Sequence, residues 1–420
     1  MNKKAFDPIV GYEDIKLELT RILDQLTNPE KYAELGVVEP HGLLLFGVPG
    51  VGKSTLAQCF LDACGRKSFI CRKDKPNGDF VKEIVRIFDE AAKAAPSVIL
   101  LDDLDKYANE DEFLRDAEEF VTVQTCMDRV REKRVFVIAT ANNARKLPDS
   151  LRRAGRFDHV LGIKCPDGKD SHNIVAHYLA RKKFVKDLDT KRIARLLEGR
   201  SCAELEAVVN QAGAYAAFEG RQQVEMQDMV KAILRIIFEA PEKPAADMRC
   251  LPMIACHEAG HALTAELLEP NSVNLVSVLS HDSDAAGVTS VHRNEGYFHS
   301  KQLMEIRVMC LLAGKAATEI CYGTVDTGAN SDLKRVFEIV HRFVDDYCSF
   351  GFDQFVFDRS SSDGVLDRRD SRVAAEVSRY YAQTKQLLTE NRGKLEALTA
   401  RLLEEKTLLG DQVQEIMKCA

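Results

Sequence analysis

The chain has 420 residues, which at roughly 150 residues per domain predicts two or three compact units. Hydrophobic residues make up 45% and charged residues 29%, a balance that excludes intrinsic disorder and collagen-like fibres. A net charge of −7 leaves no global positive field to hold a phosphate backbone, so nucleic acid is not an expected partner.

From Ile9 to Cys165 short β-rich apolar runs alternate with amphipathic stretches: Gly42 to Phe46, Ser54 to Ala63, Ser68 to Cys71, Phe80 to Ala95, then Val98 to Leu101. That alternation predicts an α/β unit, a parallel sheet with helices on both faces. Between Pro166 and Ala240 the apolar spacing turns helical, as in Ile174, Val175, Tyr178, Leu179 and again in Leu205, Val208, Val209. Residues 241–247 have the Pro-rich polar composition of a linker. A further domain, 248–420, opens with a long helix from Leu251 to Glu269 started by Pro252. Strands are expected at Val273 to Leu279 and Gly287 to Val291, and mostly helix from Ser300 onward. The 12 cysteines carry no CxxC pair and no secretory run precedes them, so they read as thiols of a reducing cytoplasm. The longest apolar runs fall far short of the roughly 18 to 20 residues of a spanning helix, so no integral membrane segment is expected.

Gly47-Val48-Pro49-Gly50-Val51-Gly52-Lys53-Ser54, followed by Thr55, fits GxxxxGK[ST] between an apolar strand and a helical run. Glycines there let backbone N–H groups close around phosphates at a helix N-terminus, the lysine adds a point charge, and the serine hydroxyl ligates Mg2+. Val98 to Leu101 ends in Asp102-Asp103, which puts a first carboxylate beside the magnesium and a second where it orients the attacking water. Val135 to Ala141 ends in Asn142, whose amide would reach the γ-phosphate or that water. The cofactor expected from these parts is ATP with Mg2+.

His257-Glu258-Ala259-Gly260-His261 is HExxH on the expected helix. Histidines at i and i+4 project from one face and can share a zinc ion (Zn2+), with Glu258 facing the open position as general base. Two buried, hydrogen-bonded histidines would be the plain structural alternative. A catalytic zinc usually takes three protein ligands, so a third must come from elsewhere. Cys256 adjoins His257 but points about 100° away on a helix and reads as core.

Taken in order, these motifs resemble the AAA ATPase module, and in particular that of the FtsH family of ATP-dependent zinc metalloproteases, over nearly the whole chain. The resemblance implies an AAA ATPase large subdomain (1–165), a helical lid (166–240), the linker, and a mainly α-helical zincin-like metalloprotease domain (248–420). Phe6-Asp7-Pro8-Ile9-Val10-Gly11 matches the family's opening motif, Asn142 its sensor asparagine, and Arg153 and Arg156 its two arginine fingers, which act on a neighbour's nucleotide. His177 takes the place of a histidine near the adenine, and Ser201-Cys202-Ala203-Glu204-Leu205 that of the lid segment facing the nucleotide. Thr327-Gly328-Ala329-Asn330-Ser331-Asp332 matches TGAxxD, which makes Asp332 the third ligand of one zinc per chain. Leu312 to Ile320 resembles a family segment packed against the zinc helix, where Glu319 reads either as a carboxylate orienting a zinc histidine or as a plain helix-surface glutamate, and Gly287 to Val291 matches the family's edge strand for an extended peptide.

A homohexameric ring acting on unfolded or tagged polypeptides follows from the same resemblance. Three departures go with it. Asp103 stands where the family has Glu, which shortens the reach to the attacking water and predicts slow hydrolysis. The family's substrate-gripping loop is absent, with the shorter stretch from Arg72 to Phe80, basic from Arg72 to Lys75, in its place, which predicts weak translocation. Its amino-terminal membrane spans have no counterpart before Phe6, which predicts a cytoplasmic chain. The rival readings are a remodelling or regulatory ATPase whose protease half is mainly structural, and a nucleotide-gated peptidase with little translocation.

Overall fold

The structure, a computed structural model, describes residues 5–74, 77–107, 117–153, 155–182, 188–240, 249–279, 287–292, 300–324, 327–347, 349–350 and 363–419. The expected linker 241–247, the expected domain start at Met248, Lys75 and Pro76 of the basic stretch, and Ala154 between the two arginines lie outside them. The chain divides after Gly213 into two compact units.

The first unit contains α1 (Glu13–Thr27), α2 (Pro29–Ala33), β1 (Gly42–Phe46), α3 (Lys53–Cys64), β2 (Lys67–Cys71), α4 (Asn77–Lys93), β3 (Ser97–Leu101), α5 (Ala117–Val130), β4 (Val135–Ala141), β5 (His159–Gly162), α6 (Gly168–Ala180), α7 (Thr190–Leu196) and the first part of α8 (Cys202–Phe218). Its sheet is parallel throughout, in the order β2-β3-β4-β1-β5. The period-2 pleat divides each central strand between two cores. Leu44, Ile99, Leu101, Val137 and Ala139 pack with Phe80, Phe88, Val123 and Met127 of α4 and α5. Leu43, Leu45, Val98, Leu100, Phe136 and Ile138 pack on the other face with Leu19 and Ile22 of α1 and Leu56 and Phe60 of α3. Burial on both faces is why β3 and β4 read as unbroken apolar runs. The Gly47–Gly52 loop, Asp102 and Asn142 follow β1, β3 and β4 directly, so they share the carboxyl edge of the sheet, where ligands of such folds bind.

The second unit contains α9 (Met226–Ile237), α10 (Leu251–Leu268), β6 (Val273–Ser277), β7 (Val288–Val291), α11 (Lys301–Tyr322), α12 (Asn330–Asp345), α13 (Asp363–Glu390), α14 (Arg392–Glu405), β8 (Thr407–Leu409) and α15 (Gly410–Cys419). The strands form an antiparallel sheet in the order β7-β6-β8. Helix α10 is apolar on nearly every side because it is the centre of its core, with Ala255, Ala259, Ala262 and Leu263 packed among Ala313, Ala316 and Ala317 of α11 and Leu395, Leu398 and Leu402 of α14. A Cβ on Gly260 would sit 2.7 Å from the Ala313 carbonyl oxygen, so glycine there lets α10 and α11 approach closely. Among the described residues no helix is long and apolar enough to cross a membrane, and the eleven described cysteines are free thiols.

Candidate active sites

In the second unit, one turn of α10 brings the rings of His257 and His261 together with their Nε2 atoms 3.0 Å apart. The first turn of α12 carries Asp332, whose Oδ2 lies 3.5 Å from His257 Nε2 and 3.3 Å from His261 Nε2. One ligand atom from each residue falls within 4.8 Å of the others. Donors about 2.0 to 2.1 Å from one tetrahedral ion stand roughly 3.3 Å from each other, so this donor set has the spacing and chemistry that zinc takes. His261 Nδ1 donates to the Cys310 carbonyl at 2.7 Å, which fixes the ring with Nε2 turned toward Asp332. Burial alone would raise the Asp332 carboxyl, but its bonds to His257 and His261 and their charge hold it well below the usual carboxylate range.

Glu258, 6% exposed, accepts from the Thr289 hydroxyl of β7 at 2.6 Å. Gly287 leaves the space for it, since a Cβ at that position would meet the Glu258 carboxylate. Gly314 of α11 does the same for the His257 ring. Cys256 is fully buried in the core cluster. The orienting role expected of Glu319 is not what the structure gives: its carboxylate accepts from Lys385 Nζ at 2.7 Å and from the Tyr381 hydroxyl, and the Cys310 carbonyl is what holds His261. Glu319 sits near the far end of α11, five residues beyond Gly314, where it meets Tyr381 and Lys385 of α13.

In the first unit, Gly50 and Gly52 adopt left-handed φ values of +81° and +92°, which side-chain-bearing residues rarely take. The loop they form is closed on Lys53, whose ammonium donates to the Gly47 carbonyl at 2.7 Å, the Val48 carbonyl at 3.0 Å and Asn142 Oδ1 at 3.0 Å. Burial pulls the Lys53 ammonium down while Asp103, Asp105 and Asp102 push it back up. The register of β3 on β4 sets Asp102 beside Thr140, whose hydroxyl donates to Asp102 Oδ1 at 2.7 Å, and Ser54 donates to the same oxygen at 3.3 Å. Burial raises the Asp102 carboxyl, but Thr140, Arg72 and Ser54 together hold it below its ordinary value. Asp103, at a left-handed φ of 53°, pairs with Lys106 at 2.6 Å. Ala203 N donates to the Gly50 carbonyl at 3.0 Å, so the Ser201–Leu205 segment does lie against the loop.

Pro49, Val51 and Thr55 sit in and just after the loop, with Val51 buried in the α1–α3 core and Thr55 exposed. Of the two arginines, Arg153 is exposed, whereas Arg156 is held inside its own chain by two bonds to Asp128, at 3.0 and 2.9 Å. His177 on α6 meets the Tyr178 ring edge-on, with centroids 5.6 Å apart. Sequence reasoning missed Thr140, Thr289 and the Cys310 carbonyl, and it took Arg72 only as part of a basic run.

Residues 43–165 match the family described as ATPase family associated with various cellular activities (AAA), 187–231 match the AAA+ lid domain, and 246–356 match peptidase family M41. The ATP-dependent zinc metalloprotease FtsH of Thermobaculum terrenum is 30% identical over 98% of this chain and 68% of its own length. The FtsH of Pelobacter propionicus is 29% identical over 98% of the chain and 71% of itself, and that of Bacillus subtilis 28% over 98% and 69%. Over its ATPase, lid and peptidase parts alike, the chain belongs to the FtsH family of ATP-dependent zinc metalloproteases.

Proposed function

We propose that this chain hydrolyses polypeptides as an ATP-dependent zinc metalloendopeptidase, with His257, His261 and Asp332 holding one zinc ion and Glu258 as the general base. The observation that carries this is the convergence of the three donor atoms within 4.8 Å, with Glu258 on the same helix turn. Zinc held there supplies Lewis acidity, lowering the pKa of water to about 7 and polarising a scissile carbonyl. Glu258 takes the proton, and the Thr289 hydroxyl on Oε2 leaves Oε1 as the oxygen available to receive it. The edge position of β7 among the described strands supports docking of an extended substrate as an added strand.

For the other half-reaction the proposed nucleotide residues are Gly47 through Thr55, with Asp102 beside magnesium, Asp103 and Asn142 on the attacking water and His177 near the adenine. Ring assembly, as a homohexamer, is supported by the exposure of Arg153, which suits a residue acting on a neighbour. Arg156 would first have to leave Asp128. The division proposed above, 1–165, 166–240, 241–247 and 248–420, goes with this reading, and the free thiols support a cytoplasmic setting.

The test is cleavage of an unfolded polypeptide with ATP, with a non-hydrolysable analogue and with a chelator. Cleavage abolished by the chelator and restored by zinc supports the proposal. Cleavage indifferent to the chelator overturns it. A remodelling ATPase with a structural protease half would cleave nothing under any of the three conditions.

A further inference from the structure

The carboxylate at the end of β3 is already neutralised from within the chain. Asp102 Oδ2 accepts from Arg72 Nε at 3.0 Å and from Arg72 Nη2 at 2.5 Å, while Oδ1 is taken by Thr140 and Ser54. Strand register makes this contact. Cys71 pairs with Leu101, and Asp102 N donates to the Cys71 carbonyl at 3.0 Å, so Arg72 and Asp102 leave neighbouring strands at the same level. The two partners differ in freedom: the Asp102 side chain is 5% exposed and fixed by four donor atoms, whereas the Arg72 side chain is 67% exposed on a long stem.

Ser54, whose hydroxyl ligates magnesium in loops of this type, donates to the same carboxylate that Arg72 covers. A divalent cation arriving on Ser54 with a nucleotide therefore meets a guanidinium charge across one carboxylate. Two cations there repel, and the exposed side chain is the one able to leave. Lys53 is not the competitor, because its ammonium is held by the loop carbonyls and Asn142, and Lys106 is engaged with Asp103.

We infer that Arg72 is an internal cation that magnesium must displace from Asp102, and that it thereby sets how much magnesium this site needs to bind nucleotide. The inference rests on the nucleotide site proposed above. It makes the carboxyl end of β2 part of that site, a role for which no motif in the sequence provides.

The experiment uses the full chain, a fluorescent ADP at fixed concentration and a titration with magnesium chloride, on the unmodified protein, Arg72→Gln and Arg72→Lys. Arg72→Gln is expected to lower the magnesium concentration for half-maximal binding roughly three- to tenfold, the range of one partly exposed charged pair, with Arg72→Lys in between. An equal or higher magnesium requirement in Arg72→Gln overturns the inference while leaving the nucleotide site standing. Unmodified protein that binds no ADP at any magnesium concentration overturns both. Arg72→Lys keeps the charge and the stem, so a misfolded Arg72→Gln protein leaves a second variant in which a lowered requirement supports the inference and an unchanged one contradicts it.

Discussion

The two sites of this chain are organised in opposite ways. In the metal cluster the functional atoms face each other, at 3.0 to 3.5 Å, with the supporting groups behind them. In the proposed nucleotide site the backbone is set but four charged side chains are engaged by other protein groups: Lys53 by loop carbonyls, Asp102 by Arg72, Asp103 by Lys106, Arg156 by Asp128. On the proposed function, the first arrangement would hold one ion without rearrangement and the second would have its side chains exchange partners when a ligand arrives, so side-chain changes in the two halves should have effects of different kinds.

The largest effect expected is that of Glu258→Gln. It should reduce peptide cleavage by roughly 10² to 10⁴ while zinc content and ATP hydrolysis stay as they were, because a positioned base contributes about that much and the carboxamide keeps the shape. Retained cleavage with retained zinc would mean another group takes the proton. Next comes Gly314→Ala, whose added Cβ would overlap the His257 ring. Zinc affinity, measured by competition with a chelator, should fall about 10- to 100-fold with nucleotide binding unchanged, and an unaltered zinc affinity would show that the ring moves aside freely.

Thr289→Val comes third, removing the hydroxyl from Glu258 Oε2. Cleavage should drop about tenfold at unchanged zinc content, the cost of one charge-assisted hydrogen bond. A loss of zinc instead would assign Thr289 to the frame of the cluster. The smallest effect sharpens the nucleotide half. Arg156→Ala should destabilise the fold by a few tenths up to about 1 kcal/mol in urea unfolding, and Arg153→Ala by nothing measurable, because among the described residues only Arg156 of the two is paired. Arg156 keeps the Asp128 carboxyl below its usual range. A depressed carboxyl stabilises above its unfolded value, about 3.9, and loses that contribution as the pH falls through the folded value. The difference between Arg156→Ala and the unmodified protein should therefore shrink below about pH 4. Equal destabilisation by both arginine variants would remove the distinction.

What was legible in the sequence follows the same division. HExxH could be read because helix periodicity converts a spacing of four into a shared face. β1, β3 and β4 could be read because strands buried on both sides are continuous apolar runs. β5 and β8 were not anticipated: β5 alternates between partly buried and exposed residues at a sheet edge, and β8 has only three. The Cys310 carbonyl is a backbone atom, and no side chain marks it. Thr289 lay within an expected strand, yet only the fold shows that its hydroxyl meets Glu258. The orienting role is a candidate for Glu319 because its segment resembles one packed against the zinc helix, and its partners, Tyr381 and Lys385, are more than sixty positions away. Arg72 reads in the sequence only as part of the basic segment in place of the gripping loop, because strand order decides which carboxylate it meets.

The most direct measurement is the zinc content of the purified chain beside that of Asp332→Ala. About one zinc per chain is expected in the unmodified protein, and little or none in the variant, where two imidazoles remain without the carboxylate. Full zinc occupancy in Asp332→Ala, or an unmodified protein that takes up no zinc, would contradict the account.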